Sequence, residues 1–143
     1  MDRDVTDRKL DALRRCLARL REKRPLTPEA LLANPDLQDI LALNLERAVQ
    51  LSVDLAAMRI ADLSVPAPET MGAVFEALRE RGVLSAGTAD RMRKAVGFRN
   101  IAVHDYQRID WQIVFNLVHR RLEDFEAFAR ELCAAPSQEP PHS

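Results

Sequence analysis

Residues 36–62 read DLQDILALNLERAVQLSVDLAAMRIAD. Leu37, Ile40, Leu41, Leu45, Ala48, Val49, Leu55, Ala56, Met58 and Ile60 recur at helical spacing but cover more than one stripe. A helix with apolar residues on several faces is buried on more than one side. It is either the centre of a helical bundle, or it packs in the bundle on one side and on a second subunit on the other. Asp36, following Pro35, is positioned to cap it.

The flanking segments supply the rest of a bundle. A first helix is predicted over 4–23, with Leu10, Leu13, Leu17 and Leu20 on one stripe and Arg14, Arg15, Arg19, Arg21 and Glu22 elsewhere. Pro25 and Pro28 interrupt it, and Thr27 can cap a short turn through Leu31 and Leu32 with Pro28 at its first position. After a Pro-containing loop at 64–68, a short helix over 69–81 carries Met71, Val74, Phe75 and Leu78, and Gly82 stops it. A turn over 85–88 follows, with Thr88 as cap of a helix that carries Met92, Val96 and Val103 and ends near Asp105. Asp110 caps one last helix with a seam of Val114, Leu117, Val118, Leu122, Phe125, Ala129 and Leu132. The expectation is an all-α, up-and-down helical bundle over residues 1–135, with a Pro-rich tail over 136–143 that is disordered and without function.

Composition agrees. Of 143 residues, 47% are hydrophobic, 30% charged and only four are Gly, a balance that favours a globular helical chain over a disordered one. Cys16 and Cys133 are far apart, lack metal-site spacing and read as small core residues. The N-terminus MDRDVTDRK has no apolar core of a signal peptide, and no apolar run reaches the ~20 residues of a membrane helix, so a cytoplasmic protein is expected. Net charge is −1, but residues 79–108 hold seven basic and three acidic residues, giving +4 there and −5 elsewhere. Such a window is either a patch that attracts polyanions or a solvated, salt-bridged helix face.

The chemistry concentrates in GFRNIAVHDY, residues 97–106. Met92, Val96, Arg99 and Val103 are spaced four, three and four, which puts Arg99 on the apolar stripe of its own helix, where a guanidinium is costly unless paired. Asn100 and His104, four apart, share the adjoining face. The three polar heads can converge beside the core, and Tyr106, just past the helix end, can reach the same spot. A structural reading stays open: Arg99 could be an ion-pair partner for Glu46 or Asp54, and a helical His is commonly a satisfied core residue. His119 lacks a neighbouring constellation and His142 is in the tail. No metal-site spacing or phosphate-binding Gly-rich loop is present.

Arg99-Asn100-x-x-x-His104-x-Tyr106 resembles the R-x-x-x-x-H-x-Y signature of HepT toxins, a branch of the HEPN superfamily. Glu46-Arg47-Ala48-Val49-Gln50 is similar to the family's central-helix signature. Phe75-Glu76-Ala77-Leu78, followed by Gly82-Val83-Leu84, is similar to the stretch before the motif, and order and spacing fit over about 37–128. The resemblance implies a homodimeric HEPN domain, the toxin of a type VII toxin–antitoxin system, acting as a metal-independent endoribonuclease without cofactors. It implies Arg99 and His104 as catalytic residues with Asn100 in support. It also implies a MntA-type nucleotidyltransferase antitoxin that silences the toxin by transferring AMP to Tyr106.

These residue types suit that chemistry. RNA carries its own nucleophile, the 2′-OH, so no Ser or Cys is required. A His can move protons near neutral pH, an effect typically worth roughly 10²–10⁴-fold in rate. Arg99 can hold phosphate oxygens in a bidentate fork and stabilise developing charge. Asn100 can orient the His or the phosphate. One motif His per chain is awkward for two proton transfers, and a two-fold dimer with both copies of His104 in one cleft would supply the second. Two other functions fit less: a catalytically inactive HEPN module that binds a nucleotidyltransferase, and a purely structural dimerisation protein.

Overall fold

The computed structural model describes residues 1–134, and the tail over 136–143, with His142, lies outside the described residues. Among the described residues seven α-helices follow in order: α1 (Arg3–Lys23), α2 (Pro28–Leu32), α3 (Pro35–Asp62), α4 (Met71–Glu80), α5 (Ala86–His104), α6 (Trp111–Arg120) and α7 (Leu122–Ala134). A 3-10 turn, Tyr106–Arg108, joins α5 to α6. The expected up-and-down helical bundle is what forms. α3 packs against all six other α-helices. Leu41, Leu45, Ala48, Val49, Leu55, Ala56 and Ile60 are buried along it. Much of its apolar surface is therefore taken up within the chain, while Leu43 stays exposed and Leu37, Ile40, Leu51 and Met58 are half-buried.

Helix ends follow local chemistry, with three shifts from expectation. Thr27 caps α2, its hydroxyl accepting from the Ala30 N–H, and Asp110 caps α6 by accepting from Gln112. α3 is capped by Asn34, which accepts from Leu37 N–H, and not by Asp36. Pro35 occupies the first helical position, where its missing N–H costs nothing, and this moves the cap one residue upstream of the proline. α4 is shorter than expected because Thr70 caps it. Gly82 adopts φ +74°, and Val83 N–H reaches back to the Leu78 carbonyl, a left-handed stop that a side chain would strain.

α5 is capped by Ser85, not Thr88. Thr88 is buried one turn inside, where its hydroxyl donates to Glu131 of α7 at 2.5 Å. Glu131 also accepts from the Ser85 N–H at 2.7 Å, so one carboxylate ties the start of α5 to α7. The expected last helix is broken in two at Arg121 (φ −122°, ψ 3°). No Pro or Gly marks that break. The two halves have different neighbours: α6 lies against α1 and α2, α7 against α5. Phe128 of α7, absent from the expected seam, is fully buried edge-on to Phe75 of α4, with ring centroids 5.5 Å apart. Cys16 is buried as expected, but Cys133 is exposed near the end of α7. Among the described residues no helix is long and apolar enough to cross a membrane.

The Glu131 clamp has a pH signature. Burial raises the carboxyl pKa, but the hydrogen bonds from Thr88 and Ser85 outweigh burial and hold it below its ordinary value. A carboxyl with a depressed folded-state pKa stabilises the fold above its unfolded value of about 4.3 and loses that contribution as pH falls through the folded value. Glu131→Gln is therefore expected to lower the urea midpoint at pH 7. The gap to the parent chain should narrow as pH is taken below about 4. A gap that is constant from pH 7 to pH 3 would remove the carboxylate charge from this account.

Candidate active site

Arg99 lies in the last two turns of α5. Ala89, Met92, Val96 and Ala102 are the buried residues of this helix around it. Val103, expected to extend that stripe, is 40% exposed and Ile101 is 45% exposed. The helix leaves the core at this end, and Ala102 takes the inward position. Arg99 sits at the boundary. Its Nε is buried without a hydrogen-bond partner, while its terminal nitrogens reach Asn100 Oδ1 and Gln50 Oε1, each at 3.4 Å.

The partners of Arg99 are neutral amides. Asp54, one of the two carboxylates considered for it, instead pairs with Lys9 at 3.3 Å and accepts from Gln50 Nε2 at 2.9 Å. That bond turns the Gln50 amide so that its oxygen faces Arg99. Among the described residues neither Glu46 nor any other carboxylate forms a salt bridge with Arg99. A guanidinium with one flank desolvated and no counter-charge is set to take an anion, and its planar fork matches phosphate oxygens.

The rest of the basic window behaves differently. Arg79 pairs with Glu76, Arg91 with Asp124, Arg93 with Asp90 and Glu76, Lys94 with Asp90, and Arg108 with Asp105. For these five the salt-bridged reading holds, and the +4 window is not one open patch.

His104 is the last residue of α5 and is exposed, and among the described residues its ring makes no hydrogen bond. Asn100 is exposed beside Arg99. So the structure brings Arg99 and Asn100 into contact and leaves His104 open to solvent on the same helix end. His119 has a structural place instead: its Nε2 is 2.6 Å from the Pro25 carbonyl and its ring is tilted on Phe115.

The 3-10 turn swings Tyr106 onto α3. Its hydroxyl donates to Asp39 Oδ1 at 2.5 Å, its ring stands edge-on to Trp111 at 5.8 Å, and the residue is 40% exposed. Burial, then the hydrogen bond and charge of Asp39, push the phenol well above its ordinary value. Asp39 and Gln50 are eleven residues apart on α3, about 16 Å along the axis at ~1.5 Å per residue. The expected meeting of the phenol with the Arg99 head thus does not occur within one chain. Gln50 and Asp39 were not singled out by sequence reasoning as site partners. Their signal was present in the spacing of Asp39, Leu43, Glu46 and Gln50, one stripe of α3. Among the described residues no cluster of three or more His, Cys, Asp or Glu could hold a metal ion.

Comparison with known proteins places this arrangement. The family model described as Ribonuclease HepT-like matches residues 13–132. The mRNA nuclease HepT of Shewanella oneidensis is 31% identical over 133 residues, covering 87% of this chain and 93% of that protein. A solved structure of the tri-AMPylated Shewanella oneidensis HEPN toxin in complex with MNT antitoxin superposes with a TM-score of 0.87 at 30% identity, covering 94% of this chain and 100% of that one. The cytosolic protein YutE of Bacillus subtilis, at 14% identity, TM-score 0.79 and coverage of 94% and 90%, shares the fold alone. Matched over most of its length in sequence and in structure, the chain belongs to the HepT-like ribonuclease family.

Proposed function

We propose that this chain is the ribonuclease toxin of a type VII toxin–antitoxin pair, acting in the cytoplasm as a homodimer of the helical domain 1–135. The observation that carries the reading is Arg99: half-buried, uncompensated by any carboxylate, and one and a half turns from an exposed His104. Arg99 grips the scissile phosphate, and Asn100 orients it. The 2′-OH attacks phosphorus and the bond to the 5′-oxygen breaks, leaving a 2′,3′-cyclic phosphate and a free 5′-hydroxyl. One His104 takes the 2′ proton and a second, from the partner chain, donates to the 5′-oxygen. Support for the dimer comes from Ile101, Val103 and Tyr106, apolar residues exposed around His104. The inactive-module alternative draws no comparable support, because nothing neutralises Arg99.

The same reading makes Tyr106 the acceptor of AMP from a MntA-type nucleotidyltransferase. The phenol oxygen attacks the α-phosphorus of ATP, pyrophosphate leaves, and the phenol proton passes to Asp39, which already accepts its hydrogen bond. A phenol held protonated needs such a base. Because Arg99 and the hydroxyl are anchored apart on α3, the added nucleotide obstructs the approach to His104 and extends its negative charge toward Arg99.

His104→Ala and Arg99→Ala are each expected to lower RNA cleavage by about 10²-fold or more with helicity intact and with no effect of chelator on the parent. Undiminished cleavage by His104→Ala would take that residue out of the mechanism. Intact-mass measurement after co-expression with the cognate nucleotidyltransferase should reveal one or more AMP units on the parent chain and none on Tyr106→Phe. AMP retained by Tyr106→Phe would move the modification elsewhere. In sedimentation velocity the parent should be a dimer at micromolar concentration, and Ile101→Glu should shift it to monomer and abolish cleavage. An active monomer would contradict the shared cleft.

A further inference from the structure

A groove of about 740 Å³ runs between α1 and α3, with Gln50 among its lining residues. Its walls carry Arg15 and Arg19 from α1 and Arg47 from α3, with Asn44 and Gln50 between apolar side chains, and no acidic residue lines it. Arg19 has a neighbour in Glu22 at 3.5 Å, both largely in water, an exposed pair that neutralises little. Among the described residues Arg15 and Arg47 form no ion pair. Both act on the Cys16 thiol at the groove floor: burial pushes the thiol up, and Arg47 and then Arg15 pull it back.

The contrast with the rest of the surface is informative. A second groove between α1 and α7 also holds three arginines, Arg14, Arg21 and Arg130, but Glu126 stands in it, bound to Arg21. The basic window on α4 and α5 is mostly ion-paired. The α1–α3 groove therefore differs from both in gathering three guanidiniums with no acidic residue among its lining. Gln50 joins it to Arg99, lining the groove and accepting from the guanidinium.

We propose that the α1–α3 groove is the track for the RNA strand flanking the cut, with Arg15 and Arg47 binding backbone phosphates and Arg19 assisting. A run of guanidiniums leading to a phosphate-gripping Arg matches a polyanionic strand. Ile40, Leu43 and Leu51 offer apolar area against which bases lie. The inference rests on the ribonuclease reading, yet it concerns binding, which is measured apart from cleavage.

The test uses a fluorescent single-stranded oligoribonucleotide of about 20 nucleotides and the full chain carrying His104→Ala, which binds without cutting. In that background Arg15→Gln with Arg47→Gln should weaken binding about tenfold at moderate salt. The slope of log K against log salt should fall by about 1.4, two contacts at ~0.7 each. Arg14→Gln with Arg130→Gln, the same loss of two charges in the α1–α7 groove, should alter neither to a comparable extent. In the His104 parent the Arg15 and Arg47 double variant should raise KM for RNA far more than it lowers kcat. Equal effects of the two double variants would overturn the proposal, leaving the ribonuclease reading intact. So would loss of the dimer in the Arg15 and Arg47 double variant, which would make the groove a protein interface. If the parent chain does not cleave RNA, the ribonuclease reading fails, and the anisotropy comparison still decides whether the groove binds it.

Discussion

The constraint on which this molecule depends is that one helix, α3, must be packed on several faces at once. It is 28 residues long, and its buried positions face in several directions. Water can be excluded from those faces only by surrounding them, and every other α-helix among the described residues does part of that work. Each residue that α3 keeps half-exposed is therefore one that falls in a gap between its neighbours. Asp39 and Gln50 are in such gaps, where they meet Tyr106 and Arg99. The candidate site is built on those two positions.

The polar contacts there form a chain across three helices, from Lys9 on α1 through Asp54 and Gln50 on α3 to Arg99 on α5. The order matters physically. Had Asp54 paired with Arg99 directly, the guanidinium would be neutralised and poorly suited to phosphate. Gln50 stands between them and passes on a hydrogen bond without passing on a charge. A buried ion pair gives little net stability for its desolvation cost, whereas a guanidinium held by amides keeps its charge available. The two anchors on α3 also divide the labour at the site. Gln50 holds the cationic group, and Asp39, farther toward the start of α3, holds a phenol as hydrogen-bond donor.

The rim around His104 fits the same logic. α5 is buried as far as Val96 and Ala102, but Ile101 and Val103 emerge from the core exactly where the motif ends. A cluster of exposed apolar side chains marks a surface suited to a partner, and under the proposed mechanism a second copy across a two-fold axis covers it and brings the second His104.

Much of this was legible in residue order because it depends on local rules. Apolar spacing defined α1, α3 and the all-α class. Thr27, Gly82 and Asp110 marked helix ends through hydrogen bonds and backbone freedom that act within a few residues. Arg99, Asn100 and His104 were visible as a cluster because four-residue spacing on a helix makes neighbours. Other features were decided only by tertiary packing. The break at Arg121 has no local breaker and arises because α6 and α7 have different neighbours. Thr88 gave up its expected capping role since Glu131, 43 residues away, was brought to its hydroxyl. Cys133 is exposed because α7 turns it outward at its end. Above all, the choice of Gln50 over Asp54 or Glu46 as the partner of Arg99, and of Asp39 as the partner of Tyr106, required the register of α5 against α3. Spacing along one helix states which side chains share a face. Which residue of another helix each of them meets is set by how the whole core closes.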